Sequence, residues 1–273
     1  MNRRQARQFE LNWKQAHSKY ERKIYAIFKK ALDTQIKSVV DSVKENGVFL
    51  LSGFLPSLIG RETMFEAYRN AYEYIGIQHG KFTTDWMTEL EDNSKSRFKF
   101  KMLAFGSEFW RGQMRDFLLV NGGTKVAELN STTISLINKT LSNPEFQLLT
   151  ISEQATKLVQ TLSSPEYNRN RALRIARTES TIASNYVAKQ AGENAPYRTN
   201  KVWIAKLDDR VRTTHLANHL VEIPMNEKFT VGAYQMDRPG DDSLGAGPEE
   251  IVQCRCVLSI VPVFGENGLP VPK

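Results

Sequence analysis

The chain has 273 residues, 41% hydrophobic and 25% charged, with 37 Lys and Arg against 30 Asp and Glu for a formal charge of +7. That balance excludes a disordered chain and leaves room for about two domains of ordinary size. The only cysteines, Cys254 and Cys256, are one residue apart; a bridge across so short a loop would be strained, so a disulfide framework is excluded and the core must come from packing. The basic excess sits in the first two-thirds of the sequence, which hints at a nearby polyanion, although a solvated helical surface accounts for it as well.

Apolar residues recur at helical spacing from Phe9 through Trp13, Ala16, Tyr20, Ile24, Phe28, Ala31, Ile36, Val39, Val40 and Val43. This predicts one long amphipathic helix, stopped at Asn46-Gly47 because glycine takes the left-handed conformation cheaply. The run from Val48 to Gly60 is apolar but broken by Gly53 and Pro56. It is too short for a bilayer, and no membrane association is expected. The N-terminus has no apolar segment of the kind a secretory signal needs, so synthesis and folding in a cytoplasm is expected. A second helix is predicted from Arg61 to about Gln78, and a short one capped by Thr83-Thr84-Asp85. After an interruption at Asn93-Ser94, a third is predicted from Lys99 to Val120, ending at Asn121-Gly122-Gly123.

Two shorter helices follow, Thr124 to Leu141 and Ile151 to Leu162. Ser164-Pro165-Glu166 combines a capping serine, proline in the first turn and an early acid, which predicts a helix start. That helix should pass Arg177 and stop near Gly192. Beyond Pro196 the pattern becomes strand-like, at Val202–Leu207 and Cys254–Val261, with a short helix from Arg212 to Leu220 between them. The expected fold class is α+β: a mainly helical N-terminal region with a long amphipathic helix, then a small C-terminal module with a short antiparallel sheet. The expected divisions are a helical arm over 1–60, a helical region over 61–163, the α+β module over 164–263 and a mobile tail over 264–273.

The module holds an ordered series of features. Arg171-Ala172-Leu173-Arg174-Ile175-Ala176-Arg177-Thr178-Glu179 lies on a predicted helix. Lys201-Val202-Trp203 follows, then Asp209-Arg210-Val211-Arg212-Thr213-Thr214-His215, Phe229, Arg238-Pro239-Gly240-Asp241 and Gln253-Cys254-Arg255-Cys256. Their order and spacing resemble the phage Mu F-like head morphogenesis family over about residues 165–262. Arg177, Glu179, Trp203, Asp209, Arg210, Arg212, His215, Cys254, Arg255 and Cys256 carry the motif. Gln253 departs from the family pattern, which usually has Asn before Cys-Arg-Cys, and His219 stands where a glycine-like turn is expected. The resemblance implies a minor structural protein of a tailed bacteriophage, inside the head near the portal, that aids capsid assembly or the packaging or ejection of DNA. It implies the portal protein and a major capsid or scaffold protein as partners, and packaged DNA as a further one. The long N-terminal helix could in addition join copies of the chain.

Several constellations admit two readings from the residues alone. Cys254 and Cys256 on a strand would share a face, and His215 and His219 would sit one helical turn apart, so that the four could hold a structural zinc ion. Alternatively the cysteines are small buried residues and His215 a hydrogen-bonding core residue, with no cofactor. Asp209, Arg212 and His215 could serve a nuclease or a transferase. The structural alternative is a turn in which Asp208 and Asp209 cap the next helix and Arg210 or Arg212 pairs with them or with Glu179. No second carboxylate cluster or nucleophile accompanies the group, so no catalytic residue is assigned. The aromatic residues of the N-terminal region are expected in the core or a subunit contact rather than stacked on bases.

Overall fold

The structure is a computed structural model that describes residues 1–48, 51–92 and 105–273. Helix α1 (Arg3–Asn46) follows the predicted apolar stripe and ends where Gly47 turns left-handed at φ +68°. The broken apolar run contains α2 (Leu51–Ile59), with Pro56 inside it. Helix α3 (Arg61–Asp92) does not stop near Gln78 or restart at Thr83; it is continuous. Helix α4 (Ser107–Leu141) likewise runs straight through Gly122-Gly123 and joins two predicted helices into one. A helical glycine costs about 1 kcal/mol relative to alanine. Packing overrides that cost at Gly122, where an added Cβ would meet the Phe65 ring at 3.3 Å. The interruption at Asn93-Ser94 and the helix start at Lys99 lie outside the described residues.

Helices α5 (Pro144–Gln147) and α6 (Ile151–Leu162) follow, the second opened by a full capping box between Thr150 and Glu153. Ser164 caps a π-helical turn at Pro165–Arg169, and α7 (Asn170–Asn194) continues from it. This helix passes through Gly192 and ends at Asn194; glycine at 192 lets the helix pack closely, since an added Cβ would lie 3.0 Å from the Ile260 and Met225 side chains. The rest comprises β1 (Thr199–Ile204), α8 (Thr213–Leu216), β2 (Glu222–Pro224), β3 (Phe229–Val231), β4 (Tyr234–Met236), α9 (Pro248–Ile251) and β5 (Val257–Pro262). Among the described residues no helix is long and apolar enough to cross a membrane.

The chain forms two compact units that do not follow sequence order. One comprises residues 22–71 and 115–176. Its core gathers Val39, Val43, Leu55, Ile137, Phe146 and Leu158 from five helices. Within it, Gln35 donates to the carbonyl of Ile59 at 2.6 Å and to Asn130 at 2.9 Å, while Asn130 donates to the carbonyl of Gly60 at 3.2 Å. These bonds satisfy backbone groups left open where α2 ends.

The other unit comprises residues 1–21, 72–114 and 177–273 and contains the sheet. Strand order is β2-β1-β5, antiparallel throughout, with Trp203 opposite Leu258 and Lys201 opposite Ile260. The fold is α+β, as the sequence pattern predicts. Helix α3 reaches this sheet, where the Trp86 indole donates to Ser259 of β5 at 3.0 Å, and it also meets α7, where the Tyr72 hydroxyl donates to Glu179 at 2.6 Å. Phe9 and Trp13 pack on Phe82, Trp86 and His79 at ring separations of 5.1–6.4 Å. The final residues, expected as a mobile tail, are tied down. Arg198 donates to Val271 at 2.7 Å and Val271 to Val263 at 2.8 Å, so the tail adds backbone pairing beside β1.

Candidate functional site

Helix α7 supplies the floor of the motif region. The buried side of this helix carries small polar residues rather than aliphatic ones. Ser180, Thr181, Ser184 and Asn185 are all fully buried. Thr178 accepts the Gln253 N–H at 3.0 Å, and Thr181 donates to the Cys254 carbonyl at 2.6 Å. Asn185 donates to the carbonyls of Pro239 and Cys256, each at 3.1 Å, and accepts the Leu258 N–H at 2.7 Å. One helix face thus stitches down the chain on both sides of the cysteines by bonding its backbone. The sequence reading missed these residues. Their signal was a polar stripe at helical spacing (178, 181, 185) on the side where a core helix would carry leucine.

The cysteines are not on a strand, as the pattern suggested, but just before β5. Gln253 takes a left-handed φ of 57° and turns the chain immediately ahead of them. Both thiols still point to one place, where His215 meets them. Its Nδ1 lies 3.2 Å from Cys256 Sγ and 3.6 Å from Cys254 Sγ. All three residues are at most 3% exposed. His215 lies in α8, a helix of only four residues, so His219 falls beyond its end and not one turn up the same face. His219 accepts the Ala205 N–H at 3.2 Å and is not among the converging atoms. Of the four residues the sequence offers as zinc ligands, His215, Cys254 and Cys256 converge and His219 does not.

Glu250, also unforeseen, stands on the far side of the imidazole. Its Oε2 lies 2.8 Å from His215 Nε2, a close approach rather than a well-aligned hydrogen bond, and accepts the Thr214 hydroxyl at 2.9 Å. The Trp203 ring, fully buried, meets His215 edge-on at 5.3 Å and Phe229 at the same distance. Cys256 donates to Cys254, which holds the Cys254 thiol well below its ordinary value; the same bond, together with burial, pushes Cys256 up.

The Asp/Arg stretch works differently from either sequence reading. Asp208 accepts the Arg210 N–H at 3.1 Å, an Asx turn, and does not cap α8; the N-cap is Arg212, with no side-chain bond. Arg255 grips Asp208 with both terminal nitrogens, one of them at 2.8 Å. That pairing holds the Asp208 carboxyl down at about 2. Arg212 donates to the Val252 carbonyl at 2.6 Å. Arg177 lies 3.7 Å from Glu21 and contacts Gln253, so it does not pair with Glu179, which accepts from Tyr72. Asp209 and Arg210 are exposed, whereas His215 is buried among the thiols. The Asp209, Arg212 and His215 groups thus face three different surroundings.

Outside the motif, Asp237 is a buried hub. Lys189 approaches it at 2.8 Å and Lys228 at 3.0 Å, and the fully buried Lys201 pairs with it as well. Three ammonium groups keep this carboxyl far below the usual range despite the opposing effect of burial. Asp241 accepts the Asp237 N–H at 3.0 Å and pairs with Arg238 at 3.0 Å, so the Arg238–Asp241 motif locks this loop under α7.

Every motif feature from Arg177 to Cys256 is now placed around α7, β1 and the start of β5. Residues 146–259 match the family model described as Phage Mu protein F like protein. The Mu F-like span covers the resemblance region as far as residue 259 and reaches upstream into α5. It supports a phage head-morphogenesis protein of the virion. No curated protein and no solved structure matches the chain.

Proposed function

We propose that the protein is a minor head protein of a tailed phage, held inside the head beside the portal, where it aids assembly and the packaging or ejection of DNA. The Mu F-like match over residues 146–259 carries this reading. The buried architecture supports a structural role without turnover. Thr181, Asn185 and Arg212 spend their side-chain hydrogen bonds on backbone carbonyls and N–H groups of their own fold. The portal protein and a major capsid or scaffold protein are the partners this role requires. The test is asymmetric imaging of intact particles. Extra density at the inner face of the portal ring, lost when the gene is deleted, is expected. Intact, infectious heads assembled without the protein would refute the reading.

A second reading, contact with the packaged DNA, is favoured by one observation. Arg177, Lys206, Arg210, Arg212 and Arg255 line a pocket of about 300 Å³ together with Glu21 and Gln253. Glu21 lies 3.7 Å from Arg177, and Asp208 pairs with Arg255 and lies 3.8 Å from Lys206, so the five cations still exceed the carboxylates beside them, and the excess would draw phosphate oxygens.

A further inference from the structure

The best-defined cluster of chemically competent side chains is His215, Cys254 and Cys256, whose ligand atoms all lie within 4.8 Å of one another. We propose that these three residues bind one zinc ion, with Glu250 as the group that orients His215 and with the fourth coordination position left to water or another small ligand.

The spacing is the first argument. A tetrahedral ion with bonds of about 2.3 Å to sulfur and about 2.0 Å to nitrogen sets its N and S ligand atoms roughly 3.5 Å apart. The observed separations from His215 Nδ1 are 3.2 and 3.6 Å. Hydrogen bonding alone does not account for both. Nδ1 has either one proton or one lone pair in line with the ring, so it can serve one sulfur well and not two. Two thiols directed at a single nitrogen form half of a coordination sphere.

The surroundings of the imidazole are the second argument. A carboxylate against the remote ring nitrogen keeps the proton there and frees the other nitrogen's lone pair for a metal. Glu250 stands at that place, its Oε2 2.8 Å from Nε2, close enough to accept the proton after a small rotation of either side chain. Glu250 is itself positioned by the Thr214 hydroxyl, and Gly232 leaves room for both, since an added Cβ would lie 3.1 Å from Thr214 and 3.3 Å from Glu250.

Thiolate and imidazole donors suit zinc among the common divalent ions. Binding releases two thiol protons, so affinity rises with pH. The Cys-x-Cys spacing is tighter than in most structural zinc sites; the left-handed Gln253 and the grip of α7 on both flanking carbonyls hold the two thiols on one side despite it.

The test uses the full chain, reduced, stripped with a chelator and titrated with Zn²⁺ or Co²⁺. One equivalent is expected, with cobalt giving thiolate charge-transfer and tetrahedral bands. Cys254→Ser and Cys256→Ser should abolish those bands, and Glu250→Gln should keep the stoichiometry while weakening affinity roughly 10–100-fold. His219→Ala should still bind one equivalent; loss of the ion there would overturn the three-ligand assignment. If the folded wild-type chain takes up no metal, or if the double cysteine variant binds as tightly, the site does not exist.

Discussion

His17 and His79 show how single residues set a pH limit. Both are buried, and burial is the largest reason that each is held down to about 3. For His17 the cations of Lys206, Arg177 and Arg255 add to that effect. Neither ring nitrogen of His79 has a hydrogen-bond partner among the described residues, and the ring stacks on Phe82 at 5.2 Å. A depressed histidine binds protons less readily folded than unfolded. Its stabilising effect is therefore complete above the unfolded value near 6.5 and declines as pH falls toward 3. The loss is about 1.4 kcal/mol per pH unit for each group, so near pH 5 each costs roughly 2 kcal/mol. Urea unfolding at pH 7 and pH 5 should show this loss, and His79→Phe should remove about half of it. An unchanged pH dependence in that variant would show that His79 is not the group responsible.

At the level of elements, glycines decide where helices touch. Gly76 and Gly80 lie one turn apart on α3, against Met114 and Trp110, also one turn apart on α4. An added Cβ at Gly80 would sit 2.2 Å from the Trp110 ring, and at Gly76 2.6 Å from Met114. Helix propensity alone would favour alanine at either position. Here Gly80→Ala should destabilise by about 1–3 kcal/mol through overpacking, measured as a lower midpoint in thermal or urea unfolding. Gly112, on α4 with nothing within 4 Å of an added Cβ, is the control and should gain stability on the same change. These glycines also show why the sequence misjudged helix ends. A Gly pair reads as a stop when only propensity is considered, and Gly122, like Gly192, is instead a point of close approach.

For the whole molecule, the formal charge of +7 says little about where a polyanion would sit. The fold concentrates Arg177, Lys206, Arg210, Arg212 and Arg255 from distant parts of the sequence around one pocket. If packaged DNA lies there, binding to duplex DNA should weaken steeply with salt. Arg177→Ala with Arg210→Ala should reduce the log–log slope by roughly one for each lost phosphate contact. Binding that is absent at low salt, or a slope the double variant leaves unchanged, would remove DNA from the proposed partners while leaving the proposed head role standing.

The sequence by itself determined the fold class, the long first helix to its last residue before Gly47, the helix start at Ser164 and the Mu F-like module, because these rest on periodicity, capping and residue order along the chain. It also placed His215, Cys254 and Cys256 in one motif. Only the tertiary structure decided that His219 points elsewhere, that Glu250 backs the imidazole, and that Arg255 rather than a neighbouring arginine holds Asp208. Those pairings join residues about 35 to 47 positions apart, and the sequence pattern marks no partner at that range. Which buried groups meet is set by the packing of α7 against β1 and β5, where each polar atom must find a partner once water is excluded.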